Sequence, residues 1–490
     1  MGSILNGSIT RDLSKEHYRP IQHPTIVFMI LLLLAFKEQH PDVPWDNIDL
    51  WKADVSSAFN RLYWEPSAVR YFAMQLVGGI CVLFLVGTFG YTGTPFAFEV
   101  CTRAFRWEFK RRLKSCNDMY CDDVMAGGLR EDLPGDKVIV KAHMDGLLGP
   151  GSFSEKKYEC MTESLRRIDW LGYTVCLRHL TLTISRRNFR KTILGFLTVD
   201  LSQRVSVRDM ERLASWASRY SLICVALRPF SYRLYASFKW MTNRDASVEL
   251  SADVKAIIWL WRASLCALSL DERNYARKIY SFQPKEPKVL ARFDSSLKGV
   301  GFLLGWLTSR GPEWFGGGAF SLLPFGFGKE SRYQNCAEFI GVNCVSLALI
   351  KMGLSDVGVL LEGDSMSALA WALSEHYSGS LVFNASLVHT AISSVHKPSY
   401  VSKNHIKGVD NSQCDDLSRG KSLGDIGLGY VFEIDFVQGS PQFDLLQLCN
   451  PGLVLDDDFS GEETFAHLWN RVYTLTNAVP RVVLPVISPP

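Results

Sequence analysis

The sequence predicts a multidomain chain that joins an α+β half to an α/β half. Three observations carry that prediction. The chain has 490 residues, which at about 150 residues per domain suggests roughly three domains. Residues 48–150 mix strand and helix patterns. Beyond the Gln-Pro-Lys-Glu-Pro-Lys linker at 283–288, strands and helices alternate as in a compact α/β domain.

The elements follow in chain order. Residues 25–36 form the longest apolar run. At about 1.5 Å per residue the run is too short for a bilayer core of roughly 30 Å. It follows a polar start with Arg11, Asp12, Lys15 and Glu16 and precedes no small-residue cleavage site, so it reads as a buried helix and not as a signal or anchor. Residues 48–53 read as an apolar strand ending at Asp54. Phe98, Cys101, Ala104, Phe105, Phe109 and Leu113 recur near helical spacing over 96–114. A hairpin is centred on 120–125, and Gly127-Gly128 ends it. Residues 205–240 look helical and rich in Arg and Tyr. Ser251 caps a helix over 254–268, with Asp253 in its first turn. After the linker come a strand at 289–293 and a hairpin through Gly299, Gly301 and Gly305. A helix near 337–351, a strand at 357–361 and a helix at 365–373 complete the order. The tail 421–490 is acidic and matches no element.

Composition excludes several classes. Hydrophobic residues make up 47% of the chain and charged residues 21%, too rich in core material for a disordered or fibrous protein. The 12 cysteines form no C-x-x-C pair, which argues against a zinc ribbon or a redox motif. Without a secretion signal they are expected as free thiols in the cytoplasm or nucleus. The net charge of +3 hides an asymmetry. Residues 431–490 hold eight carboxylates against Arg471 and Arg481. Basic residues concentrate at 103–114 (Arg103, Arg106, Lys110, Arg111, Arg112, Lys114) and at 166–191. Such clusters suit a polyanion or a solvated helix face.

Two sets of carboxylates point to chemistry. Asp54 closes its strand, and Asp122 and Asp123 sit together at the hairpin turn. Adjacent aspartates flanked by apolar residues are costly unless something cationic neutralises them. If the two strands are neighbours, Asp54 and Asp122 can clamp two magnesium ions about 3.5–4 Å apart for in-line phosphoryl transfer. The second set lies past the linker. Asp294 ends a strand, Glu338 opens a helix, Asp364 follows a strand, and His405 to Asp410-Asn411 leads into Asp415-Asp416. Acids at the ends of separate elements would repel one another without divalent cations.

The order of the first set resembles the palm of reverse transcriptases. The segments are Asp54-Val55-Ser56-Ser57-Ala58-Phe59, Phe89-Gly90, Tyr120-Cys121-Asp122-Asp123 and Trp170-Leu171-Gly172-Tyr173. The second set resembles retroelement ribonuclease H, with a final H-x-x-G-x-x-N-x-x-C-D-D-L-S-R segment from His405 to Arg419. Polymerase followed by ribonuclease H resembles a retroelement arrangement, and Leu227-Arg228-Pro229-Phe230 with the helix from Leu250-Ser251 through Trp259-Leu260-Trp261 resembles retrotransposon polyproteins of DIRS type more than gypsy-like ones. The resemblance implies a right-hand, ferredoxin-like palm and thumb followed by an α/β ribonuclease H domain. Its boundaries would be 1–150 for truncated fingers and palm, 151–240 for primer grip and thumb, 241–288 for the connection, 289–420 for ribonuclease H and 421–490 for the unassigned tail.

The resemblance also implies roles. Asp54, Asp122 and Asp123 would hold two Mg2+ (or Mn2+), with the Val55 carbonyl as a further ligand. Phe59 would exclude a 2′-hydroxyl on the incoming dNTP, and Phe89 and Gly90 would line the template or nucleotide. Lys156 or Lys157 would protonate the leaving pyrophosphate. Tyr120, Trp170, Leu171 and Gly172 would touch the primer. Asp294, Glu338, Asp364 and Asp415 would hold the second pair of ions, preferred over Asp416 by register, and His405 on a mobile loop would assist. RNA template, DNA primer, RNA–DNA hybrid and dNTPs would be the partners, with no membrane. The chain departs from the family in two ways: only 53 residues precede Asp54, and Thr88 stands where Pro is usual before Phe-Gly. The competing reading is a non-catalytic nucleic-acid-binding relic lacking intact fingers.

Overall fold

The computed structural model describes residues 21–161, 166–269, 276–284, 286–354, 357–373, 380–395, 400–453, 471–472 and 474–476. The polar start around Arg11 and the acidic run at 456–458 lie outside the described residues. The chain divides into two compact units, Met1–Ser185 with Lys278–Gln283, and Arg186–Arg277 with Pro284–Pro490. The expected boundary at 150 falls inside the first unit, and the expected connection 241–288 is shared between both.

In the first unit the 25–36 run forms helix α1, Ile26–Gln39, whose start is capped by the Thr25 hydroxyl accepting from the Phe28 N–H at 3.2 Å. Its Met29, Ile30, Leu33 and Leu34 are buried. A four-stranded sheet carries strands in the order β4 (Cys116–Tyr120), β5 (Asp123–Leu129), β1 (Ile48–Asp54) and β6 (Glu159–Cys160). Alternation along β1 sorts its side chains between two faces. Trp51 and Ala53 join Phe98, Phe105 and Phe109 of α2 (Gly93–Arg112) and Val140 and Met144 of α3 (Leu133–Leu148) in one core. Leu50 points the other way, toward α1. Gly127 lets this helix approach, because a Cβ there would lie 2.5 Å from Leu50 Cδ2 and 3.1 Å from Leu33 Cδ1.

Two smaller sheets complete the unit. Strands β2 (Ala73–Gln75) and β3 (Cys81–Leu83) pair as an isolated hairpin turned by Gly78 and Gly79, both at positive φ. Val77 at its tip is 99% exposed, and no charged residue occurs from Tyr71 to Phe98. Strands β7 (Arg167–Trp170), β8 (Tyr173–Cys176) and β9 (Thr181–Ile184) form an antiparallel meander.

The second unit opens with helices α4 (Arg186–Thr198), α5 (Val207–Ser221), α6 (Arg228–Ala236) and α7 (Ala252–Ser269). Trp261 of α7 packs on Phe196 at 5.5 Å and on Tyr220 at 5.8 Å between ring centroids. This last helix, in the stretch assigned from sequence to the connection, packs into the core of the helical cluster.

A six-stranded sheet follows. Its central strand is β10 (Val289–Ser295), flanked by β11 (Gly299–Thr308) on one side and β13 (Gly358–Gly363) on the other. β12 (Gly311–Ser321) pairs with β11, and β14 (Tyr400–His405) pairs in parallel with β13. Gly299, Gly301 and Gly305, expected in a hairpin, lie on β11, the second strand of the antiparallel β10–β11 hairpin. Packing explains a glycine there: a Cβ at Gly301 would lie 2.3 Å from the Cys414 carbonyl, where α11 (Ser412–Ser418) crosses the strand. Helix α8 (Gln334–Lys351) is buried over most of its length. Helices α9 (Met366–Ala372) and α10 (Phe383–Val395) complete the set against it.

The tail left unassigned from sequence adds one short strand to this sheet. Strand β15 (Phe432–Glu433) adds in parallel to β12 opposite Gly316 and Gly317. Ile434 is fully buried there. A Cβ at Gly318 would lie 2.4 Å from its carbonyl oxygen and one at Gly316 2.9 Å from its Cδ1. Phe436 packs on Phe302 and Phe320, and Phe443 of α12 (Pro441–Gln447) packs on Phe320. The Gly-Gly-Gly run is therefore a floor shaped for the tail.

Candidate active sites

The first site stands at one end of the four-stranded sheet. Tyr120 and Asp123 pair across the β4–β5 hairpin, with Cys121 at φ 55° in its two-residue turn. Asp54 pairs with Asp123 in antiparallel register, and the Val55 N–H donates to the Asp122 carbonyl at 3.0 Å. The three aspartates of the first set thus come to one sheet end. Lys157 Nζ donates to both Asp54 oxygens, at 2.7 and 2.8 Å. Burial raises the Asp122 carboxyl, with the neighbouring Asp54 charge adding to it. Burial, then the Asp122 charge, raises Asp123 to about 7. The hydrogen bond to Asp54 raises the Lys157 ammonium in turn. The ammonium supplies the positive charge such a cluster requires.

Of the two lysines considered from sequence, Lys157 reaches the Asp54 carboxylate, while Lys156 is exposed. The correction is one of register: the turn after Ser154 aims the second lysine of the pair at β1. Phe59 sits in a short 3-10 helix, half-buried against Phe89 at 5.3 Å and Phe98 at 5.8 Å. Phe89 is 81% exposed and Gly90 takes φ 91°. Tyr120 stacks on His23 at 4.2 Å. Leu171 and Gly172 both take positive φ in the turn between β7 and β8. Trp170, expected at the primer, is 3% exposed and belongs to the core, because alternation along β7 turns it inward.

The basic cluster at 103–114 is spent on the protein itself. Arg103 pairs with Glu99, Arg106 with Asp118, Arg112 with Glu108 and Lys114 with Asp132, while Arg111 lies over the Trp107 ring. Arg166 is buried against Asp49 at 2.9 Å. Arg186, Arg187, Arg190 and Lys191 at the start of α4 are exposed.

The second site lies in the second unit. Asp294 comes from β10, Glu338 from α8 and Asp364 from the residue after β13. Ligand oxygens of these three lie within 4.8 Å of one another, so they could hold a metal ion. Close packing brings them together. A Cβ at Gly341, one turn beyond Glu338, would lie 2.8 Å from the Phe293 ring and 2.9 Å from Ser295 Oγ, so the helix can lie directly on β10. Burial, then the Asp364 charge, raises Asp294 to about 7. Burial raises Glu338 to about 8, with Asp294 and Asp364 adding to it. Glu338 Oε2 is buried without a hydrogen-bond partner. An unpaired buried acceptor among like charges is the environment a hard divalent cation would relieve.

Asp415 on α11 raises Asp294 further through its charge, but it is held by Arg419 at 2.8 Å and falls outside the close triad. Asp416 pairs with Lys421 at 2.9 Å. Asn411 donates to the Phe293 carbonyl at 2.9 Å and ties the start of α11 to β10. His405 was expected on a mobile loop; it ends strand β14 opposite Gly363, and its Nε2 donates to the Asp364 carbonyl at 3.0 Å. Gln334 was not expected at all. Helix α8 starts three residues before the expected 337, and its first residue donates to Glu338 Oε1 at 2.8 Å. Its spacing four residues before a helical glutamate was the available signal.

No protein-family model matches the chain, and no curated protein sequence matches it. Among solved structures it is similar to a foamy viral protease-reverse transcriptase dRH in complex with double-stranded DNA, at TM-score 0.37 and 12% identity over 73% of this chain and 57% of that one. It is similar to a foamy viral protease-reverse transcriptase in complex with RNA/DNA hybrid, at TM-score 0.35 and 12% identity, over 73% of this chain and 44% of that one. The chain therefore spans about half the length of these two structures. Likeness of that degree leaves the reading of both sites to their own geometry.

Proposed function

We propose that the chain is an RNA-directed DNA polymerase with a hybrid-specific ribonuclease H centre, of retrotransposon type, using two-metal phosphoryl transfer at both sites. One observation carries this reading: Asp294, Glu338 and Asp364 converge from three separate elements, with Glu338 Oε2 buried and unpaired. Divalent ions there would polarise a phosphodiester and supply a metal-bound nucleophile from water. The protein's part is to hold the carboxylates, with Asp415 available from α11 and His405 beside Asp364. At the first site Asp54, Asp122 and Asp123 would hold the ions, and Lys157 stands where it can hand a proton to a leaving group. RNA template, DNA primer, hybrid and dNTPs are the partners this chemistry requires.

Magnesium-dependent cleavage of the RNA strand of a labelled hybrid tests the reading, with Asp294→Asn as control. Primer extension on an RNA template, with Asp122→Asn, tests the polymerase half separately. A second reading is favoured by one contact. Lys157 already neutralises Asp54, which suits a nucleic-acid-binding relic whose first centre takes up no ions. Binding of the hybrid with neither cleavage nor primer extension would select it.

A further inference from the structure

We infer that Gln334 is a positioning residue of the second centre: it locks Glu338 so that one carboxylate oxygen remains open to a divalent cation. The inference rests on reading Asp294, Glu338 and Asp364 as a cation centre. The Gln334 side-chain amide has two protons to donate. One goes to the Ser295 carbonyl at 2.7 Å and the other to Glu338 Oε1 at 2.8 Å. Ser295 is the neighbour of Asp294 on β10, so a single amide joins the helix carboxylate to the strand that bears the other buried acid.

This contact divides the labour between the two oxygens of Glu338. Oε1 is satisfied by the amide, while Oε2 has no partner and no exposure. A carboxylate held at one oxygen cannot swing freely about its last torsion, which is otherwise broad. The open oxygen is thereby kept among the ligand atoms that lie within 4.8 Å of one another. Gln334 also stabilises the charged form of Glu338, opposing the effect of burial. Outer partners that orient a ligand typically change metal affinity by about 10–100-fold when removed.

Calorimetric titration of the full chain with Mn2+ tests this, using wild type, Gln334→Met, Gln334→Ala and Glu338→Gln. Thermal melts of each metal-free protein report folding. The expected result is Mn2+ affinity about 10-fold weaker or more in the folded Gln334 variants, with hybrid cleavage largely recovered at saturating metal. A purely structural role would lower the melting temperature and leave Mn2+ affinity of the folded protein alone. Affinity within about twofold of wild type in a folded Gln334 variant, with Glu338→Gln impaired, overturns this inference and leaves the centre standing. If neither Gln334 variant folds, the residue serves stability and the inference is overturned. Absence of Mn2+ binding by wild type overturns the cation centre and this inference together.

Discussion

Asp54 and Asp123 stand opposite each other on the last rung between β1 and β5, and Lys157 donates to both oxygens of Asp54. Asp54 is nearly buried, whereas the lysine side chain is largely exposed. The ammonium therefore acts as a removable counter-charge. Lys157→Met should destabilise the metal-free protein by about 1–3 kcal/mol, the cost of leaving a buried acceptor unsatisfied. Added magnesium should return much of that loss, and denaturant melts with and without Mg2+ would detect it. An unchanged midpoint in metal-free buffer would show that the pair contributes nothing.

The first centre makes its own demand. Asp122 and Asp123 share the hairpin end with Asp54, and burial raises both acids. Removing one charge from a preorganised electrostatic site typically costs about 10²–10³ in rate. Asp122→Asn should lower primer extension by at least that much, while hybrid cleavage in the same preparation stays within about twofold. Equal losses in both assays would point to misfolding and not to a catalytic aspartate.

The second centre predicts a pH dependence. Asp294 is raised to about 7 and Glu338 to about 8, against about 4 in an unfolded chain. Between these values the native state binds more protons than the unfolded one, so stability falls as pH rises. The contribution is complete below about pH 4 and is lost as pH climbs through about 7 to 8. In chelator, wild type should lose more melting temperature between pH 5 and pH 8.5 than Asp294→Asn does. Parallel curves for the two proteins would contradict the raised carboxyl.

Gly301 predicts a coupling between packing and chemistry. A Cβ there would meet the Cys414 carbonyl at 2.3 Å and Leu417 Cβ at 2.5 Å. Gly301→Ala must push α11 outward, and overpacking of this kind costs about 1–3 kcal/mol. Asp415 rides on that helix, so hybrid cleavage should fall at temperatures where the variant is still folded. Full activity in a folded variant would mean that the helix accommodates the methyl group without moving Asp415.

The carboxylates were legible because each stands at or within a few residues of the end of a strand or helix, and approximate element ends survive a reading of periodicity. Asp54, Asp122, Asp294, Glu338 and Asp364 needed only approximate boundaries. What escaped depended on a shift of one or a few residues or on distant packing. Lys157 and Lys156 differ by one position, and only the turn decides which reaches Asp54. Gln334 was hidden because the predicted helix began after it. The hairpin through the glycines of β11 was legible, but the reason for glycine there was not, because the helix that presses on Gly301 lies more than a hundred residues downstream. Trp170 read as a contact residue until strand alternation placed it inside. The basic cluster at 103–114 looked free because two of its partners, Asp118 and Asp132, follow it on other elements, and the helical pairs with Glu99 and Glu108 were not considered.

The Ile434 clasp has a practical corollary for dissecting this chain. Cutting at residue 420, where the motif ends, would strip the glycine floor of β12 bare and uncover Phe302 and Phe320. Losing 186–277 would also remove the partner that Phe230 gives to Phe383, at 6.2 Å between ring centroids. A fragment cut at the ends of the His405–Arg419 motif alone should come out of the cell insoluble, while one spanning 186–453 keeps its own wrapping.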